Sequence, residues 1–394
     1  MKVIYFDHAA TSWPKPDGVR EALSAYFGEA GGNPGRSGHR MSIAAARVVE
    51  DARDAVARLF GASDPSRVSF TQNATHALNI AIYGVLKPGD RVVTTSVEHN
   101  SVMRPLRHVE TLGVSLDVVS SEPDGSLDLE NLRKALKVGA RLLVTTHASN
   151  VAGAILPTAE IAAIAHEYGV LCLVDAAQTA GALPIAVEAS DIDLLAFTGH
   201  KSLLGPTGTG GLYIREGLHV EPLLRGGTGS DSAHETQPTF APDAHESGTL
   251  NVAGLAGLAE GVRFIQRVGV DAIRKHEQEL TTRFLTGASG IAGLYTYGPA
   301  SVSARCGVVS FNIDGAVSSE IGQILDDSFG ILCRTGLHCA PLAHRTMGTF
   351  PTGTVRFSFG YSNTLEEIDV ALNALREIAA WAASGKQAGA AWTV

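Results

Sequence analysis

The sequence predicts an α/β protein: a large domain with a mostly parallel sheet covered by helices, followed by a smaller α+β domain. Between about residues 18 and 260, segments with helical spacing of apolar residues alternate with short apolar runs, the order of repeated strand and helix units. Those runs are nearly continuous rather than alternating in polarity, as expected of strands buried on both faces of a parallel sheet. Beyond about residue 260 the order changes to consecutive helices followed by separated strands and helices. The chain has 394 residues, 45% of them hydrophobic, enough for two cores. The expected division is 16–258 for the large domain, with 1–15 and 259–394 forming the small one.

A strand-like run over 3–6 opens the chain. Helical spacing then marks 18–27, 42–59, 75–83, 131–136 and 158–168, and apolar runs mark strands at 67–70, 91–94, 115–119, 141–145, 170–174 and 194–197. The glycine run 205–211 does not follow a strand and open a helix as phosphate-binding motifs require, so it reads as a turn. Residues 226–248 have no periodicity and are rich in Gly, Ser, Thr, Pro and His. A loop of that length is expected near an active site or a subunit contact. Helices follow at 252–268 and 271–285, then a strand at 306–313, a helix at 318–329 and a polar cysteine-bearing loop from 336 to about 353. A strand at 354–358 and a helix at 365–383 complete the pattern, with a loose tail from 383. No internal repeat or low-complexity array is present.

Charge narrows the functional classes. The 31 basic residues against 40 acidic ones give a formal charge of -9, and no cluster of Lys and Arg forms a nucleic-acid footprint. No stretch approaches membrane-spanning length and no charged segment precedes an apolar leader, so a cytoplasmic protein without membrane or nucleic-acid partners is expected. The four cysteines form neither a metal-type pair nor a disulfide pattern. Cys172 and Cys306 belong to or adjoin strand-like runs and read as inert. Cys339 differs, because Arg334-Thr335-Gly336-Leu337-His338-Cys339 sets a cation and an imidazole beside it, surroundings that lower a thiol pKa.

Two residues carry the chemistry. Asp175 closes the apolar run Val170-Leu171-Cys172-Leu173-Val174, and Lys201 follows downstream in Phe197-Thr198-Gly199-His200-Lys201. A lysine that holds an aldehyde covalently and a carboxylate that keeps a pyridine nitrogen protonated are what pyridoxal 5'-phosphate (PLP) requires. Alone, Asp175 could cap a turn and His200-Lys201 could be surface charge. The run Thr71-Gln72-Asn73-Ala74-Thr75 lies between a strand and a helix, so the helix start at Ala74 and Thr75 offers free amides and a hydroxyl to a phosphate.

Taken together, these motifs resemble the class V aminotransferase family of fold-type I PLP enzymes, and within it the cysteine desulfurases and selenocysteine lyases. The resemblance runs from Tyr5-Phe6-Asp7-His8-Ala9-Ala10-Thr11 past Arg356 and is carried most specifically by four runs. These are Val174-Asp175-Ala176-Ala177-Gln178, Thr198-Gly199-His200-Lys201, Glu246-Ser247-Gly248-Thr249 and Arg334 to Ala340. It implies that Lys201 carries the cofactor, Asp175 pairs with the ring nitrogen, Gln178 bonds the phenolic oxygen and His99 stacks on the ring and moves protons. It also implies phosphate contacts from Thr75, Thr198 and His200, and from Thr249 to the phosphate of a partner subunit, hence a homodimer with shared sites. Arg356 matches the arginine that holds a substrate α-carboxylate, Asn150 and Arg334 match substrate-side positions, and His39 in Arg36-Ser37-Gly38-His39 is a further candidate. His76 stands where the family usually has Glu, and Asn73 where Gly is common.

The implied reaction converts L-cysteine to L-alanine, with Lys201 removing the α-proton and Cys339 taking the sulfur as a persulfide for an unidentified acceptor protein. L-Selenocysteine as substrate, or another class V lyase reaction, is the alternative within the family. A sulfur carrier or scaffold without catalysis is the alternative outside it, and it would have lost the lysine, aspartate or arginine that this chain retains. Cys333 is expected to be structural, with a sulfur-relay role as the other reading.

Overall fold

The protein is described here by a computed structural model covering residues 3–35, 38–231 and 233–384. After the short strand β1 (Ile4–Tyr5), a seven-stranded sheet is built from β2 (Val68–Thr71), β3 (Arg91–Thr95), β4 (Ser115–Val119), β5 (Leu142–Thr146), β6 (Leu171–Asp175), β7 (Leu194–Thr198) and β8 (Gly210–Ile214). Its order is β2-β8-β7-β6-β5-β3-β4. Strands β3 to β7 run parallel, while β8 is antiparallel to both of its neighbours. Alternate residues feed opposite cores: Leu143, Cys172, Val174 and Leu195 join one apolar cluster, and Leu142, Val144, Leu173 and Leu194 the other. Two buried faces explain why these strands read as unbroken apolar runs.

A second sheet is formed after β9 (Leu294–Tyr297) and β10 (Val308–Ile313), with β11 (Ile331–Leu332) pairing in parallel with β1, and β12 (Arg334–Gly336) and β13 (Thr354–Ser358) completing the order β12-β13-β10-β9. Its core holds Phe6, Phe284, Phe311 and Phe357 together with Leu372 and Leu375 of the helix Leu365–Ala383. The amino-terminal strand thus belongs to the same core as the carboxyl-terminal helix.

The expected mixed α/β architecture with a mostly parallel sheet is present, and the expected elements recur within a few residues. Several others are additional. The helix Asn100–Thr111 contains Pro105, a residue that argues against a helix interior because it lacks an amide donor. Strand β8 starts inside the glycine run that reads as a turn. Gly211 is required there, since a Cβ would lie 2.4 Å from the Phe197 ring. Strands β9, β11 and β12 and the helix Pro341–Thr346 are short, and the helix lies within the stretch 336–353 that the sequence predicts as a loop. Residues 226–248 contain no helix or strand among the described residues. Arg36, Ser37 and most of the expected loose tail, 385–394, lie outside the described residues. No helix among the described residues is long and apolar enough to cross a membrane.

Candidate active site

At the carboxyl ends of β5, β6 and β7 lies a cavity of about 270 Å³, the edge where ligands bind in open α/β sheets. Register places Thr146 opposite Asp175, and Asp175 opposite Ala196, so the residues that follow these strands emerge side by side. Ala74 and Thr75, His99, Asn150, Asp175, Gln178, Thr198, His200 and Lys201 all line this one space. A larger surface cavity of about 1130 Å³ around 218–245 contains none of them.

The Asp175 carboxylate is buried and accepts from Ala177 N at 2.9 Å. Burial raises its pKa, while that amide and the nearby Lys201 pull it down. The Lys201 side-chain amine makes no hydrogen bond among the described residues, and burial lowers its ammonium pKa to about 8 against the partial support of Asp175. His99 caps the helix Asn100–Thr111, its Nδ1 accepting from Ser101 N at 3.0 Å, so the neutral ring carries its proton on Nε2. Burial, with Lys201, Arg334 and Arg356 nearby, holds that imidazole down at about 3. Gln178 Nε2 donates to Ala9 O at 3.2 Å.

Three buried polar atoms of the lining residues have no partner: Thr198 Oγ1, His200 Nδ1 and Asn150 Oδ1. Unpaired buried groups are costly and mark where ligand atoms belong. Asn73 caps the third amide of the helix Ala74–Val85, leaving the Ala74 and Thr75 amides at its positive end for an anion. A hydroxyl, an imidazole and helix amides for a phosphate, a buried carboxylate and an unpaired amine together fit PLP.

Arg356, Arg334 and Cys339 stand outside the lining but are tied to it. Arg356 on β13 is fully buried, with Nη2 donating to Asp7 Oδ1 at 2.8 Å and Nη1 to Asn150 O at 3.2 Å. Arg334 Nη2 donates to the exposed Cys339 Sγ at 3.2 Å. Two further bonds fasten the thiol segment to the rim: Asn100 N donates to Cys339 O at 2.8 Å, and Asn150 Nδ2 to His338 O at 2.8 Å. Both His338 and Cys339 have positive φ, 48° and 58°, a conformation non-glycine residues adopt at some cost.

The chain belongs to the aminotransferase class-V family. That family's model matches residues 4–371. A probable cysteine desulfurase of Methanothermobacter thermautotrophicus is 38% identical, the match covering 95% of this chain and 94% of that one. A probable cysteine desulfurase of Pyrococcus abyssi is 36% identical over 96% of this chain and 94% of its own. The apo structure of a cysteine desulfurase from Thermococcus onnurineus NA1 superimposes with a TM-score of 0.91 at 38% identity, covering 96% of this chain and 95% of that one.

Three of the expected residues have surroundings of their own outside this lining. His338 cannot lend a positive charge to Cys339. Its Nε2 donates to Thr354 O at 3.1 Å, and burial together with Arg356 and Arg334 pushes its pKa down to about 2. Arg334 is the cation in contact with the sulfur. Thr249 lines a separate cavity of about 190 Å³ with Arg53 and Glu246. His39 is an exposed cap of the helix Arg40–Phe60, its Nδ1 accepting from Ser42 N.

Two further residues had escaped the sequence reading. Glu98 is buried, its Oε1 accepting from Thr95 Oγ1 at 2.7 Å and Thr146 N at 2.9 Å, and burial lifts its pKa to about 8. A neutral carboxyl therefore joins β3 to β5 below the cavity. The placement of Glu98 and His99 just after a strand was the signal available for it. Asp7, the partner of Arg356, lay in a quoted motif without a role.

Proposed function

We propose that this chain is a PLP-dependent cysteine desulfurase, in which Cys339 takes the sulfur of L-cysteine. The observation that carries the reading is the thiol segment itself. An exposed cysteine held by an arginine is fastened at two points to the rim of a cavity that contains an unpaired lysine and a buried aspartate. The curated relatives and the solved structure named above support it.

Lys201 would hold PLP covalently, Asp175 would face its ring nitrogen, and Gln178 its phenolic oxygen. Ala74, Thr75, Thr198 and His200 would hold its phosphate. When bound, the cofactor supplies an electron sink that lets the Cα–H bond of an amino acid break and its sulfur depart. The chain supplies the rest. The Arg356 guanidinium, oriented by Asp7, holds the substrate carboxylate. Lys201 Nζ, with its lowered pKa, is neutral in part near pH 8 and takes the α-proton. Neutral His99, which lines the same cavity, would stack on the cofactor ring and pass protons through Nε2. Cys339 Sγ, held by Arg334, attacks the substrate sulfur as a thiolate; the S–S bond forms as the substrate Cβ–S bond breaks, its electron pair stays with the carbon skeleton, which takes up protons and departs as alanine, and the persulfide remains on Cys339.

The same reading assigns 16–258 to a cofactor-holding domain and 1–15 with 259–394 to a domain carrying the thiol segment. It also implies a homodimer, since Thr249 would serve the phosphate of a neighbouring subunit, and an acceptor protein that draws sulfur from Cys339. The test is direct. Protein supplied with PLP is expected to gain a visible absorption band that Lys201→Ala abolishes, and to release alanine from L-cysteine. A coloured protein that releases no alanine from either L-cysteine or L-selenocysteine would refute this reaction.

A further inference from the structure

Five hydrogen bonds from one amino-terminal segment converge on the two peptide carbonyls that flank the Lys201 α-carbon. His200 O accepts from Ser12 N at 3.0 Å, from Thr11 Oγ1 at 2.9 Å, from Ser12 Oγ at 3.2 Å and from Lys15 Nζ at 2.7 Å. Lys201 O accepts from Ser12 Oγ at 2.8 Å, and Lys15 Nζ also donates to Ser12 Oγ at 2.7 Å. The single Ser12 hydroxyl proton is shared between the two oxygens and lies nearer Lys201 O, and the three remaining donors about His200 O still outnumber the two lone pairs of a carbonyl. Lys15 is half-buried and has no carboxylate partner among the described residues. A cation normally seeks a carboxylate or water, yet this one is spent on a backbone carbonyl, where a charged donor binds more strongly than a neutral one.

We propose that Lys15 is a positioning residue for Lys201. Its ammonium, acting through Ser12 and the His200 carbonyl, fixes the backbone from which the Lys201 side chain reaches the cavity. The segment comes from the far end of the sequence and is not part of the cavity lining, so it acts behind Lys201 and touches neither cofactor nor substrate. The Lys201 side chain makes no hydrogen bond among the described residues, so it is by its backbone that this segment takes hold of the lysine. A misplacement of about 1 Å at a reacting group costs up to about 100-fold in rate, which makes such a grip worth a half-buried charge. Burial foremost, then Lys201 and Lys15, holds the His200 imidazole down at about 4, and burial with Lys15 holds His8 down at about 4.

This inference rests on the PLP reading above, and its test separates the two. Full-length wild type, Lys15→Met and Lys15→Gln are compared first without cofactor by hydrogen exchange, which reports the backbone alone. Lys15→Met is expected to exchange about 10-fold faster at 199–205 with no change at β10, and Lys15→Gln, which keeps a donor, to recover part of the protection. The variants are then given PLP and L-cysteine. Lys15→Met is expected to capture PLP and turn over about 10-fold more slowly with an unchanged KM, and to melt cooperatively. Wild-type capture and kcat in Lys15→Met would overturn the proposal, whatever the exchange pattern, because the contact would then be packing only. Failure of the wild type to capture PLP would refute the functional reading instead, and is read in a separate sample from the exchange comparison. If Lys15→Met fails to fold, Ser12→Ala removes the hydroxyl that joins Lys15 Nζ to both carbonyls and is held to the same outcomes.

Discussion

Cys339 is the one exposed thiol among four, and the others differ from it physically. Burial pushes the Cys333 thiol up to about 12 and Cys306 up to about 11, and raises Cys172 further. Brief alkylation near pH 8 is expected to label Cys339 well before Cys333, as peptide mapping would report; equal labelling would return Cys333 to the relay role. Arg356 makes a second test at this scale. Its Asp7 partner leaves part of the guanidinium for a carboxylate, including a buried Nε without a partner. Arg356→Lys loses the two-pronged geometry and is expected to raise KM for cysteine about 10- to 100-fold, the worth of a charged hydrogen bond. Residue types were the most legible part of the sequence, because Lys, Asp, His and Cys in ordered motifs carry chemistry by themselves. Their pairings were not. Arg356 meets Asp7, and the His200 carbonyl meets Lys15, across almost the whole chain or half of it. The apparent help of His338 to Cys339 vanished because burial makes that ring neutral.

At the scale of elements, a buried clamp links the helix Arg40–Phe60, strand β2 and the segment that carries Thr249. Arg53 donates to Glu246 at 2.7 and 3.0 Å and to Val68 O at 2.5 Å, and Glu246 accepts from Phe70 N at 2.6 Å. Glu246→Leu leaves the Arg53 charge buried without its partner and is expected to cost about 3–5 kcal/mol, read as a lower denaturant midpoint. Where β7 begins and β8 ends, His166 meets Asp191 at 2.7 Å and Asp193 at 2.8 Å, with Arg215 on the same carboxylates. Its carboxylate bonds outweigh burial and raise its pKa above 6.5. A raised folded-state value stabilises fully below pH 6.5, and the gain fades as pH climbs through that raised value. The melting-point advantage of wild type over His166→Asn is therefore expected to be largest below pH 6.5 and to shrink on the alkaline side; an advantage independent of pH would contradict the charged pair. Long, strongly patterned elements were legible because their apolar faces meet a core. Those that escaped are short, rich in glycine or interrupted by proline, as β8, β12 and the helix around Pro105 are, and only tertiary contacts hold them.

For the whole molecule, the relation of the two cores decides whether thiol and lysine meet. The turn Ser149 to Ile155 carries Asn150 on one side and, on the other, lies against β10: Ser310 Oγ donates to Val151 O at 2.7 Å, and Cys306 N to Gly153 O at 2.9 Å. Gly153 has φ 72°, and a Cβ there would come within 2.4 Å of Val308 O. Gly153→Ala is expected to cost about 1–3 kcal/mol in stability and, by shifting β10 and its neighbour β13, to weaken substrate binding through Arg356; calorimetry and KM would be read together. That the fold class was evident from alternation alone, while this junction was not, follows from its physics. Backbone contacts between distant turns leave no periodicity in a sequence.

The central claim is that Cys339 receives sulfur from a substrate activated above Lys201. PLP-loaded protein incubated with L-cysteine, digested and mapped by mass spectrometry, tests it most directly. The expected result is one added sulfur on Cys339, absent from Cys339→Ser, which keeps its colour. An added sulfur on Cys333 with Cys339 unmodified, or undiminished sulfur release by Cys339→Ser, would contradict the account.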